Sequence, residues 1–140
     1  MKLGFKRGEK WHSDFIRAIL NSQWSHGVVV IAGVLYESVA RKNEHGGSGV
    51  RSYPITDAVA SDYVWFDIGG DDAAAVARFK EVQGYGYDYL SLISFLPVLN
   101  ARDSKRLYCW ELVLLMIGGY VKRRVTAEII LTHVLRNNKA

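Results

Sequence analysis

An α+β fold is the class this sequence predicts, on two observations. Short runs rich in β-branched and aromatic residues lie near 28–32, 34–39, 50–55 and 63–68, where strands are expected, and apolar stretches with helical spacing flank and follow them. The 140 residues are expected to form a single domain over 1–140, long enough to withdraw roughly two-thirds of the unfolded surface from water. Apolar residues make up 49% and charged residues 23%, which fits a packed core and excludes general disorder.

Taken in order, residues 13–21 place Phe15, Ile16, Ala18, Ile19 and Leu20 on a helical stripe that Ser13 can cap. The run Ser25 to Val39 is β-branched and broken by Gly33, which predicts two strands joined by a tight turn. Residues 41–49 (RKNEHGGSG) offer nothing to bury and are expected to be a mobile loop. Strands are expected over 50–56 and 63–68, then an alanine-rich helix whose start carries Asp71 and Asp72. Residues 87–96 read as helical up to Pro97, and 100–107 as a polar loop leading to Cys109. A helix is expected from Cys109 to the Gly118-Gly119 pair, and a last amphipathic helix over 126–135, capped by Thr126.

The net charge of +4 is spread along the chain, apart from Lys122 to Arg124 and Lys2, Lys6, Arg7 and Lys10, and no aromatic-basic repeat accompanies it. No nucleic acid is therefore expected as a partner. The apolar stretches near 27–36 and 112–121 are too short to span a bilayer, so no stable membrane insertion is expected. Residues 1–15 lack a signal-peptide core, and the expected location is cytoplasmic or phage-associated. No cofactor is implied. His12 and His45, with Asp14, Glu44 or Asp57, have no metal-site spacing, and no metal is expected.

With one cysteine, Cys109 is either buried filler or a reactive thiol. If the hairpin turns through Ala32 and Gly33, Ile31 faces Val34 and Val28 falls opposite Glu37. His26 and Glu37 then share a face as diagonal neighbours, roughly 7–8 Å apart at Cα. An odd-length turn would separate them. A thiol at a helix N-terminus, an imidazole to take its proton and a carboxylate to orient that imidazole are the parts of a nucleophilic catalyst.

The order His26, Glu37, Cys109 resembles the circularly permuted papain-like (NlpC-type) cysteine hydrolases, above all the YiiX-like branch and more distantly the lecithin:retinol acyltransferase-like group. The stretches that carry the likeness are Ser25-His26-Gly27-Val28-Val29-Val30, Tyr36-Glu37-Ser38, Tyr87-Asp88-Tyr89-Leu90 and Leu107-Tyr108-Cys109-Trp110-Glu111-Leu112-Val113, within about residues 20–120. Trp110 stands where the YiiX-like group commonly has serine. Residues 3–11 (LGFKRGEKW) match the opening strand and Gly-Asp motif of these domains only loosely, leaving the first twenty residues unassigned.

The resemblance implies an antiparallel, partly barrel-like sheet packed against the cysteine-bearing helix. It makes Cys109 the nucleophile, His26 the base and Glu37 the orienting residue. It further implies cleavage of peptide or isopeptide amides, the substrate class being bacterial cell-wall peptides. Tyr87, Tyr89, Tyr108 and Trp110 are the candidate substrate-binding residues, with a packed aromatic core as the competing role for Tyr87, Tyr89 and Trp110. Two other readings stand beside this one: a lipid thioesterase or acyltransferase, and a catalytically silent binding or assembly module of the same fold.

Overall fold

A computed structural model describes residues 1–7, 22–88, 106–119 and 125–137. Strand β1 (Lys2–Lys6) is followed by β2 (His26–Ile31), β3 (Val34–Val39) and β4 (Gly49–Pro54). A single helical turn α1 (Asp57–Ala60), strand β5 (Val64–Asp67) and helices α2 (Asp72–Val82), α3 (Cys109–Met116) and α4 (Ala127–Asn137) complete the described order.

The five strands form one sheet in the order β4-β3-β2-β1-β5, every pair antiparallel. The four expected strands are therefore present, and the fold is α+β. Strand β1 was not foreseen. It sits between β2 and β5, with Leu3 and Phe5 fully buried on one face, and its centre is a glycine. A side chain at Gly4 would run into the ring of Trp65 and the methyl of Val28, so the residue that weakens the strand pattern is the one that lets β5 approach.

Both faces of the sheet are covered. One carries Leu3, Phe5, Val29, Ile31 and Tyr36 against the helices, with Tyr36 edge-on to Phe79 of α2 at 4.7 Å and Phe5 edge-on to Trp110 of α3 at 5.2 Å between ring centroids. The other carries Val28 and Leu35, both fully buried, together with His26, Glu37, Arg51 and Tyr53.

The helix signals act as read. The Asp71 carboxylate accepts from the Ala74 amide at the start of α2, and the Thr126 hydroxyl lies 3.5 Å from the Ile129 amide at the start of α4. Thr56 caps the unforeseen turn α1 in the same way. The expected helix over 13–21 and most of that over 87–96 lie outside the described residues. Among the described residues, no helix is long and apolar enough to cross a membrane.

The 41–49 segment, expected to be a mobile loop, contains a hydrogen-bonded turn. Asn43 and Gly46 exchange backbone hydrogen bonds, the Asn43 side chain accepts from the His45 amide, and His45 stacks on Tyr53 at 4.1 Å. Arg51 donates to the carbonyls of Gly46 and Gly47. Two of these partners, Arg51 and Tyr53, lie in β4, beyond the loop itself, where the loop's own composition does not reveal them.

Candidate active site

The site begins with the β2–β3 turn. Ala32 and Gly33 both have positive φ (49° and 77°), the requirement of a two-residue turn whose twist matches the strands it joins. The ladder pairs Ile31 with Val34, Val30 with Leu35 and Val29 with Tyr36. That is the even-turn register, and it places His26 and Glu37 on one face. His26 Nε2 lies 3.1 Å from Glu37 Oε2, with the side chains 19% and 4% exposed.

Glu37 is held from several directions. Arg51, directly opposite it on β4, donates through Nε and Nη2 to Oε1 at 2.9 and 2.6 Å. The Tyr53 phenol lies near enough to feel the Glu37 charge. Burial pushes the carboxyl pKa up, but His26 and Arg51 outweigh it and hold the group below its ordinary value. Burial and the Glu37 charge push Tyr53 up to about 12 and Tyr63 further still, so both phenols stay neutral.

Cys109 arrives from the opposite side. The Leu107 amide donates to the Gly86 carbonyl, and Ser38, next to Glu37 on β3, donates its hydroxyl to the Leu107 carbonyl. The Tyr108 amide donates to Glu111 and its phenol donates to Val125 at 2.6 Å, which together fix the first turn of α3. Cys109 thus stands at the helix N-terminus, where the helix dipole favours negative charge. The sulfur is close enough to His26 for its charge to favour the protonated imidazole.

His26 is therefore bracketed. Burial lowers its pKa, while the hydrogen bonds and charges of Cys109 and Glu37 raise it further, and the balance lies at about 9. The Tyr63 ring sits 6.3 Å from the imidazole, and Lys6, paired with His26 across β1 and β2, lies over Tyr63 while bonding Asp62 at 2.8 Å. This arrangement can deprotonate a thiol, retain the proton on a fixed imidazole and return it to a leaving group.

The structure brings His26, Glu37 and Cys109 together. It places three of the four residues assigned to substrate elsewhere: Tyr108 and Trp110 are fully buried and Tyr87 is 6% exposed, so they form the packing beneath the thiol. Tyr89 lies outside the described residues. The six-membered ring of Trp110 abuts Gly27, and a Cβ there would collide with it. Sequence reasoning missed Arg51, Tyr53, Tyr63 and Ser38. Period-two alternation puts Arg51 and Tyr53 on one face, but the long connection from β3 conceals which residue they oppose. Among the described residues, no group of three or more His, Cys, Asp and Glu side chains is placed to hold a metal ion. No protein-family model, curated protein or solved structure matches the chain.

Proposed function

We propose that this chain is a thiol hydrolase of the permuted papain-like class that cleaves peptide or isopeptide amides, with bacterial cell-wall peptides as its substrate class. The observation that carries the reading is the His26–Glu37 hydrogen bond from two hairpin strands, with Cys109 brought beside the imidazole at a helix start. Cys109 Sγ attacks the amide carbon while its proton passes to His26. The amides of the first turn of α3 stabilise the oxyanion. Collapse breaks the C–N bond, and the imidazolium protonates the departing amine. Water, deprotonated by His26, then adds to the thioester, and the thiolate leaves with the acid product. Glu37 keeps the imidazole in one tautomer and orientation throughout.

Turnover should fall as pH rises through about 9, where His26 loses the proton it must give to the amine. The decisive measurement is iodoacetamide alkylation of the folded protein from about pH 4 to 9, for wild type and His26→Ala. A thiol that reacts well below the ordinary pKa of about 8.5, with a profile displaced upward in His26→Ala, supports the reading and directs substrate screening to wall peptides. Release of acyl groups from an ester-linked lipid, with muropeptides untouched, would reassign the same chemistry to acyl transfer.

One observation favours a second reading. Cys109 is only 2% exposed, as expected of a structural thiol in a silent binding or assembly module. An inert thiol, indifferent to His26→Ala, selects that reading over the hydrolase.

A further inference from the structure

The two oxygens of Glu37 do different work. Oε2 faces His26, and Oε1 takes two nitrogens of Arg51. The remaining guanidinium nitrogen, Nη1, spans the carbonyls of Gly46 and Gly47 at 2.9 and 3.0 Å. Both partners are withdrawn from water, the Arg51 side chain 10% and the Glu37 side chain 4% exposed. A carboxylate whose oxygens are both committed cannot rotate away from the imidazole without breaking a charge-assisted bond. A planar fork fixed at its far end provides that restraint, and the 40–48 turn is the far end.

We infer that Arg51 is a positioning residue of this site, locking Glu37 Oε1 so that Oε2 stays on His26 and anchoring the carboxylate to the 40–48 turn. The inference rests on the hydrolase reading above. The charged and titratable groups facing the pair are His26 from β2, Cys109 from α3, Tyr53 from β4, Tyr63 just before β5, and Glu44 and His45 in the turn. Lys6 of β1 is occupied by Asp62. When thiolate and imidazolium are formed, Cys109, His26, Glu37 and Arg51 sum to zero charge. Without Arg51 the set is net negative, which opposes the thiolate.

The test is the iodoacetamide profile of the full chain for wild type, Arg51→Met and Arg51→Lys, with thermal unfolding measured alongside. The midpoint of thiol reactivity should rise by about one pH unit in Arg51→Met, and Arg51→Lys, which keeps the charge and loses the fork, should recover less than half of that shift; full recovery by lysine would overturn the positioning role. Arg51→Gln reads the same shift if Arg51→Met does not fold. Variants that melt earlier yet keep the wild-type midpoint would overturn the inference while leaving the hydrolase reading intact. A wild-type thiol that titrates ordinarily and ignores His26→Ala removes both.

Discussion

The two sides of the site are held by different physics. On the hairpin side, His26, Glu37 and Arg51 are polar groups fixed by directional hydrogen bonds across a strand ladder. On the helix side, Cys109 sits among Leu107, Tyr108, Trp110 and Leu112, all at most 5% exposed, and is fixed by packing. Hydrogen bonds set an angle and a protonation state, and pH can undo them. Close packing sets a distance, and only a change of volume disturbs it. The base needs the first kind of control and the nucleophile the second.

The largest effect should come from pH acting on the hairpin side. Folding raises His26 from 6.5 to about 9, so its contribution is complete below 6.5 and is lost as pH rises through 9. The loss is on the order of 3 kcal/mol. Glu37 runs the other way: its lowered pKa stabilises the fold above about 4.5, and that contribution is lost as pH falls through the lowered value. Urea unfolding midpoints should therefore peak between about 4.5 and 6.5 and fall toward 9, and the alkaline decline should be absent in His26→Ala. Parallel curves for the two proteins above pH 6.5 would show that His26 is not held charged by its neighbours.

The helix side should ignore pH and respond to volume. Gly27→Ala drives a methyl group into the Trp110 ring, and an overpacked core typically loses about 2 kcal/mol. Because Trp110 follows Cys109, alkylation at neutral pH should slow as well, with a change in tryptophan fluorescence. A Gly27→Ala protein as stable and as reactive as wild type would mean that the ring has room to retreat and that packing does not fix the thiol.

The same contrast explains what could be read from the sequence. The His26–Glu37 pairing was legible because a two-residue turn fixes strand parity by counting, and parity depends on nothing distant. The start of α3 was legible from a helical run ending at Gly118. Arg51 was not, since its place opposite Glu37 depends on the register of β3 with β4 across a long connection whose folding relies on Arg51 itself. β1 was missed because a five-residue strand with Gly4 at its centre shows only Leu3 and Phe5. Tyr108 and Trp110 were assigned to substrate because sequence proximity to a nucleophile does not say whether a side chain faces the cleft or the core.

The smallest expected effect concerns a hydrogen bond that ties the sheet to the segment leading into α3. Ser38 is fully buried, follows Glu37 on β3, and donates to the carbonyl of Leu107 two residues before Cys109. Ser38→Ala removes the donor and leaves a buried carbonyl short of a partner, which should cost about 1 kcal/mol in urea unfolding. The loss to reactivity should be disproportionate, because this bond ties the nucleophile's approach to the strand that carries its carboxylate. Cys109 alkylation should slow several-fold at neutral pH with its midpoint unmoved, since neither the charge on Glu37 nor that on Arg51 changes. A shifted midpoint would mean that Ser38 belongs to the electrostatics of the hairpin side. An unchanged rate would mean that packing around α3 holds the thiol in register without help from the sheet.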